Sequence, residues 1–122
     1  NIKVIGVQSE KAPCMTHSFN AGHPVDTKSC DTFASGIAVR VAIPEAVDLM
    51  LEVVDEMWLI SENEMKRAMT LYYQISDQLL EGAGAAALAA VLKFSKKVKN
   101  KTICLIASGS NVDEKLKQEV LP

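Results

Sequence analysis

The sequence predicts an α/β fold in which a partial open sheet is flanked by helices. Short apolar runs rich in β-branched residues alternate along the chain with stretches of helical periodicity. Most of these runs lack a strict alternation of apolar and polar residues, which is typical of strands covered on both faces of a sheet. With 122 residues, 48% of them hydrophobic, the chain is long enough to form a core. We therefore treat residues 1–122 as a single structural unit.

The first half of the chain predicts two strands and a helix around a long loop. Residues 2–7 form an apolar run that suits a buried strand. Periodicity disappears between residues 8 and 31, where Pro and Gly recur, so a loop is predicted there. In residues 37–43 apolar side chains alternate with Ala and Arg, which predicts a second strand. Pro44 suits the first turn of a helix, and helical spacing continues to Val54.

The clearest local signal is a capping box after a compact strand at residues 57–60. Ser61 and Glu64 can each satisfy a free backbone donor at the start of a helix. The predicted helix carries an apolar stripe along one face, made of Met65, Ala68, Met69, Tyr72, Ile75 and Leu79.

The rest of the chain predicts a buried helix, a strand and a short terminal helix. Residues 85–95 carry alanine on nearly every side, so we expect neighbouring elements to pack closely around this helix. Residues 102–107 form an apolar run that predicts a strand, and an amphipathic pattern begins at Val112.

Charge and hydropathy narrow the class of protein. The net charge is −2, and no basic run is interleaved with aromatic residues, which argues against nucleic-acid binding. The one basic cluster, at residues 96–101, follows an apolar helical stretch and is interpreted as solvated charge at a helix end. The longest apolar stretch, residues 82–92, is too short to span a bilayer.

The cysteines indicate the redox environment of the protein, and the first residue bears on whether the chain is complete. Three cysteines without a C-x-x-C pair do not form a disulfide framework, which favours a reducing, cytoplasmic environment. The chain begins at Asn1 with a strand-like run and no initiator Met, so we expect it to be part of a larger protein.

One group of residues in the first loop is competent to bind zinc. Cys14, His17, His23 and Cys30 are the ligand types of tetrahedral zinc sites, and Asp26 and Asp31 are possible substitutes. Only Cys14 and His17 have the usual close spacing of such ligands. An ordinary polar loop is therefore the favoured interpretation, and no metal ligand is assigned.

Two further segments are candidates for a ligand site. Glu81 and Gly82 open a helix, where free N–H groups attract anions, although close backbone packing explains the glycines equally simply. Ser108 and Gly109 lie at the carboxyl end of a predicted strand, where ligands of open α/β sheets gather, although Ser, Gly and Asn also favour ordinary turns.

Six segments, in this order, resemble the threonine/serine ammonia-lyases, also called threonine dehydratases. These are pyridoxal-phosphate enzymes of the tryptophan-synthase-β-like fold. The resemblance covers nearly the whole chain, and Gln8-Ser9-Glu10 resembles the catabolic type in particular. The segments are Val4–Glu10, Thr32–Val39, Val54–Glu56, Ser61–Glu64, Glu81–Ala85 and Ser108–Asn111.

The resemblance implies a fold position and a site. Residues 1–122 would be the C-terminal part of the catalytic domain, mostly its large subdomain, with pyridoxal phosphate as cofactor. Ser108 matches the serine that hydrogen-bonds the pyridine nitrogen, followed by Gly109 of the same motif. Glu81 matches a glutamate near the cofactor ring, and Gly82 gives the backbone room beside it. A hydroxyl supplies no negative charge to hold the nitrogen protonated, which suits elimination of a β-hydroxyl.

The resemblance also indicates what the chain lacks. The family uses a lysine in an S-x-K motif and a glycine-rich phosphate loop, and both would lie upstream of Asn1. We therefore expect residues 1–122 alone to be inactive, with no catalytic residue among them. The intact protein would convert L-threonine or L-serine to a 2-oxo acid and ammonia. Because the companion subdomain would be absent, residues 1–122 alone are expected to expose apolar surface and to self-associate. The intact enzyme is expected to be a homo-oligomer.

Three positions depart from the family pattern. Gln8 and Cys14 stand where relatives with a divalent cation carry carboxylates, which makes that cation site doubtful. Ser35 replaces an Asp, which puts the polar contacts of that residue in question. Ser110 replaces a Gly, and serine would be strained there only if the position needs a positive φ.

Two alternatives remain open at this stage. The protein could be a sibling of the same fold, such as a serine racemase or a threonine synthase. A non-catalytic zinc-loop or interaction module built on residues 8–31 is the alternative from another class. A C-terminal effector domain would mark a feedback-regulated biosynthetic enzyme.

Overall fold

The computed structural model describes residues 2–121, which form two parallel strands and six α-helices. Their order is β1 (Ile5–Ser9), α1 (Cys14–Ala21), α2 (Pro44–Val53), β2 (Glu56–Ile60), α3 (Glu62–Ser76), α4 (Gly82–Lys93), α5 (Ser95–Val98) and α6 (Glu114–Val120), with a 3-10 turn at Ser35–Ile37.

The sheet consists of β1 and β2, paired in parallel with Ile5 opposite Glu56 and Ser9 opposite Ile60. Parallel strands need a crossover connection, which residues 10–55 with α1 and α2 provide. The main core lies where α4 packs against α3 and both strands. A smaller apolar cluster joins α1 and α2. The predicted α/β fold is confirmed.

Local signals placed most elements correctly. α2 begins at Pro44 as expected, because its missing N–H is not needed in the first turn. Ser61 and Glu64 form the predicted capping box, with both reciprocal hydrogen bonds present. The Ala-rich helix α4 is buried or half-buried from Gly82 to Val91, in line with the expectation, whereas its last two residues are exposed; it begins at Gly82 rather than at residue 85. α6 begins after Asp113, whose carboxylate accepts a hydrogen bond from the Leu116 N–H.

Two predicted strands are wrong. Residues 37–43 contain the end of the 3-10 turn and then irregular chain, tied to the preceding loop by bonds such as that from the Thr27 N–H to the Arg40 carbonyl. Residues 102–107 are not a strand, because they pair with neither β1 nor β2, the two strands of residues 2–121. An apolar run becomes a strand only where a neighbouring backbone completes its hydrogen bonds.

Two smaller predictions are corrected. The loop predicted at residues 8–31 contains helix α1, which is capped at its C-terminal end by Gly22 with a φ of 73°. The apolar stripe of α3 stops early, because the helix ends at Ser76 and Ile75 is 78% exposed. Within residues 2–121 no helix has the length and apolarity that crossing a membrane requires.

Candidate functional site

The start of α4 lies directly against the turn at residues 108–111. The Glu81 N–H donates to the Gly109 carbonyl oxygen over 3.0 Å. Gly84, one turn into the helix, packs on the backbone of Ser108, where a Cβ on Gly84 would lie only 2.6 Å from the Ser108 carbonyl carbon. Since backbone atoms cannot move aside as a flexible side chain can, only glycine allows this approach.

The Glu81 side chain lies over two glycines. Gly109 has a φ of 72°, which favours glycine, and a Cβ on it would meet the Glu81 Oε1 atom at 2.6 Å. A Cβ on Gly36 would lie 3.6 Å from the same oxygen. Within residues 2–121 the Glu81 carboxylate makes no hydrogen bond. The carboxylate is therefore held by packing, with its oxygens available to a ligand.

The space beside Gly82 is filled by an aromatic ring. Gly82 is buried, and a Cβ on it would lie 3.0 Å from the Cδ2 atom of Phe33. This ring, the 3-10 turn, the start of α4 and the approach to α6 enclose a cleft of about 250 Å³. Its lining residues are Phe33, Ala34, Ser35, Gly36, Glu81, Gly82, Ala83, Asn111, Val112, Asp113 and Leu116.

The sequence-predicted site residues come together in part. Glu81 and Gly82 line the cleft, and Gly109 lies under the Glu81 side chain next to it. Ser108 is exposed and outside the lining, although its backbone touches α4 at Gly84. The pyridine-nitrogen role of Ser108 therefore stays a prediction.

Sequence reasoning did not assign the residues of the opposite wall. Phe33, Ser35 and Gly36 belong to the segment T-F-A-S-G, which carried the resemblance without any site role. These residues are distant from Glu81 in the sequence. They come close to Glu81 in the fold because the 3-10 turn packs against α4. The available signal was the presence of two glycine-containing motifs in one family pattern.

Glu62, another residue without an assigned role, is a hydrogen-bond centre behind this wall. Its Oε1 atom accepts from the hydroxyls of Ser9 at 2.6 Å and Thr32 at 2.8 Å, and its Oε2 atom accepts from the Phe33 N–H at 3.0 Å. Burial acts to raise the pKa of the Glu62 carboxyl, but these three donors and the Lys11 charge outweigh it, so the pKa is lowered. The group is an anchored carboxylate at neutral pH.

The three departures from the family pattern have structural outcomes. Gln8 is buried, with its side-chain oxygen bonded to the Thr16 N–H at 2.8 Å and hydroxyl at 3.0 Å, and this oxygen is therefore committed. Ser110 does not have a positive φ within the described chain, so its replacement of a glycine introduces no strain. Ser35 is exposed and lines the cleft.

The candidate zinc ligands do not converge. Cys14 is buried and its thiol donates to the Val25 carbonyl at 3.3 Å, whereas His17 and His23 are exposed. Burial raises the pKa of the Cys14 thiol, and the Asp26 charge adds to this, although the thiolate is the form that binds zinc. Across residues 2–121 no three His, Cys, Asp or Glu side chains are grouped as a metal site would require.

Comparison with known proteins identifies the family. The profile of the family described as "Pyridoxal-phosphate dependent enzyme" matches residues 1–109. The chain belongs to this family. Its curated relatives include an L-threonine ammonia-lyase of Thermotoga maritima, 37% identical over 92% of the chain. They also include the catabolic L-threonine dehydratase of Escherichia coli and the chloroplastic biosynthetic threonine dehydratase 2 of Solanum lycopersicum, each 36% identical over 92–93% of the chain.

Solved structures of this pyridoxal-phosphate family have the same fold. The processed threonine deaminase isoform 2 from Solanum lycopersicum superposes with a TM-score of 0.91 at 34% identity, covering 98% of this chain and 36% of that chain. Serine racemase from Dictyostelium discoideum superposes with a TM-score of 0.78 at 31% identity over 93% of this chain. The predicted resemblance is confirmed. The chain spans 19–35% of the length of the three curated relatives named above.

The residues of the cleft fit one wall of a site for pyridoxal phosphate, the family's cofactor. The cleft combines an aromatic ring, small residues that let backbone approach a flat ligand, and the Glu81 carboxylate, which makes no hydrogen bond to the described residues 2–121. Its volume is below the range of about 300–1,000 Å³ that is usual for complete ligand pockets. A planar aromatic ring with polar groups at its edge suits this lining.

Proposed function

We propose that this chain is part of the catalytic domain of a pyridoxal-phosphate-dependent threonine dehydratase. The intact enzyme would convert L-threonine to 2-oxobutyrate and ammonia. The observation that carries the proposal is the junction of α4 with the 108–111 turn, where Gly109 packs under the side chain of Glu81, and Glu81 and Gly82 line the cleft. The proposal is also supported by the identity of 36–37% between the chain and curated threonine dehydratases and ammonia-lyases.

Each residue of this junction would have its own task. Ser108 would hydrogen-bond the pyridine nitrogen, because a hydroxyl can donate to or accept from a ring nitrogen without adding charge. Glu81 would orient polar groups at the edge of the ring. Gly82 and the Phe33 ring would form a flat apolar face that excludes water. Bound pyridoxal phosphate supplies the electron sink that allows a proton to leave the substrate α-carbon.

The catalytic lysine and the phosphate-binding loop would come from a part of the enzyme outside residues 1–122. The eleven lysines here are mostly exposed, and Lys93, the most enclosed of those in ion pairs, is bound to Glu10 and Glu64. A lysine that forms a Schiff base needs a desolvated pocket that lowers its pKa. Burial acts to lower the pKa of Lys93, but the bonds and charges of these two carboxylates together outweigh it and raise the pKa. Residues 1–122 alone are expected to be inactive.

The test uses the intact gene product with pyridoxal phosphate and L-threonine. We expect 2-oxobutyrate to form, and no turnover by residues 1–122 alone. Ser108→Ala should weaken cofactor binding and lower turnover, while Ser110→Ala, two residues along the same turn, serves as the matched control. An intact protein that neither binds the cofactor nor releases 2-oxobutyrate would contradict the proposal.

A serine racemase is the second candidate, since one solved structure of that activity is 31% identical to this chain. L-serine as the substrate separates the two, because dehydration gives pyruvate and racemisation gives D-serine. Formation of threonine from phosphohomoserine would instead indicate a threonine synthase. We also propose a cytoplasmic homo-oligomer, which gel filtration of the intact protein and fractionation of the host cell would test.

A further inference from the structure

We infer that Glu62 is a positioning residue for the cofactor cleft, because it holds the segment that supplies one wall of that cleft. This inference rests on the proposed function of the cleft. Glu62 is the first residue of α3 and does not itself line the cleft. It acts through Thr32, which precedes the wall, and Phe33, the first residue of the wall.

The bonding around Glu62 requires an ionised carboxylate. The Ser9 hydroxyl accepts from the Lys11 N–H at 3.1 Å, and the Thr32 hydroxyl accepts from the Ala34 N–H at 3.2 Å. Each hydroxyl has a single proton, which is directed to Glu62. Three donors therefore converge on two oxygens, and an acceptor-only group satisfies all of them.

These bonds join three separate parts of the fold. Ser9 ends β1, Glu62 begins α3, and Thr32 and Phe33 belong to the long connection between the strands. That connection has no strand or long helix between residues 22 and 43. Side-chain bonds therefore replace the backbone ladder that a strand would have provided, and Glu62 accepts most of those that reach Thr32 and Phe33.

The position of Phe33 sets the shape of the cleft. Its backbone N–H is bonded to Glu62, while its ring packs on Gly82 at the start of α4. The next three residues, Ala34, Ser35 and Gly36, line the cleft together with Phe33. A shift of the Phe33 backbone would therefore move the whole wall relative to Glu81 and Gly82.

Glutamine at position 62 cannot reproduce these bonds. Both carboxylate oxygens accept from donors, so the amide NH₂ would face a donor in either orientation of the side chain. Glu64→Gln is the matched control. Glu64 lies in the same helical turn and also has a charged role, with bonds to the Ser61 N–H and Lys93, but it does not touch the wall segment.

The experiment measures two quantities on the intact gene product. One is the Kd for pyridoxal phosphate, from absorbance or protein fluorescence, and the other is the free energy of unfolding without cofactor. We expect Glu62→Gln to raise the Kd roughly tenfold, the lower end of what losing an outer-shell partner costs at metal sites. Glu64→Gln should lower stability while leaving the Kd within about twofold of wild type.

A second pair of variants keeps the test decisive if Glu62→Gln does not fold. Thr32→Val has the shape of threonine but lacks the donor to Glu62, whereas Thr32→Ser retains it. Thr32→Val should raise the Kd for pyridoxal phosphate, whereas Thr32→Ser should keep the Kd close to that of the wild type. Two results would overturn this inference while leaving the proposed function intact. One is a Kd for pyridoxal phosphate that is unchanged in both Glu62→Gln and Thr32→Val. The other is a Kd that rises as much in the Glu64→Gln control as in Glu62→Gln for the same loss of stability. A wild-type protein that does not bind pyridoxal phosphate would overturn the proposed function as well.

Discussion

Strand β2 and residues 102–107 are similar in sequence but differ in structure. Each is a short apolar run next to a polar turn. β2 pairs with β1 and is covered by α4, so Ile60 is fully buried. Residues 102–107 have no strand beside them in the described chain, and Ile106 is 74% exposed. The difference shows that an apolar composition allows a segment to form a strand, whereas the presence of a neighbouring strand decides whether it does.

The largest predicted change in the free energy of unfolding comes from comparing the same type of substitution, isoleucine to alanine, made separately in each segment. Ile60→Ala should lower the free energy of unfolding by about 2–5 kcal/mol, because it removes a buried side chain and leaves a cavity. Ile106→Ala should change it by no more than about 0.5 kcal/mol. Urea unfolding of the two variants measures both values. An equally large loss for Ile106→Ala would mean that residues 102–107 are buried in solution.

A somewhat smaller change in the free energy of unfolding is expected at the contact between the Ser108 backbone and Gly84 of α4. Helix propensity alone would make Gly84→Ala stabilising by about 1 kcal/mol. We expect the opposite sign, with a loss of about 1–3 kcal/mol, because the added methyl would overlap the Ser108 backbone.

Gly22→Ala is the control for this prediction. Gly22 has a φ of 73° with open space around it, so alanine there should cost about 1–2 kcal/mol through backbone conformation alone. Thermal unfolding and the near-ultraviolet circular dichroism of both variants would be compared. A more stable Gly84→Ala protein would show that the 108–111 turn is not held against α4.

The acid dependence of stability should originate in the region around β2. The pKa of Glu62 is lowered in the folded protein, so its contribution is complete above the unfolded value of about 4.3 and is lost as the pH falls through the folded pKa. Glu62→Gln should cost about 1–3 kcal/mol at pH 7 and progressively less in acid. Residues 102–111 contain no acidic side chain.

Urea unfolding between pH 7 and pH 3 tests this prediction. Glu52→Gln, which removes a carboxylate from an exposed position on α2, controls for the change in net charge. A wild-type and a Glu62→Gln protein with parallel pH profiles would show that the carboxylate is not anchored as described.

The smallest effect concerns two serines, one in each region. Ser61 accepts a hydrogen bond from the Glu64 N–H at the start of α3, so Ser61→Ala should cost about 1 kcal/mol. Ser110→Ala, in an exposed turn, should change stability by less than about 0.5 kcal/mol. Chemical denaturation of both variants at pH 7 provides the measurement, and equal losses would indicate that the capping box does not stabilise α3.

Elements specified by neighbouring residues were predictable. The capping box of Ser61 and Glu64, Pro44 at the start of α2 and the alanine-rich stretch of α4 need no distant partner, and the structure contains all three. The same holds for Glu81 and Gly82, which open α4 within one motif. Local hydrogen bonds and helical spacing are encoded within a few residues, so a single sequence states them directly.

Contacts between distant segments required the folded chain. The cleft forms because residues 33–36 reach the start of α4, and Glu62 anchors that segment through the donors of Thr32 and Phe33, which lie 30 and 29 residues away in the sequence. The alternation in residues 37–43 predicted a strand, but within residues 2–121 this run pairs with neither strand of the sheet. Side-chain pattern determines which face of a segment is apolar, whereas hydrogen-bond partners across the fold decide whether it becomes a strand, a turn or the wall of a site.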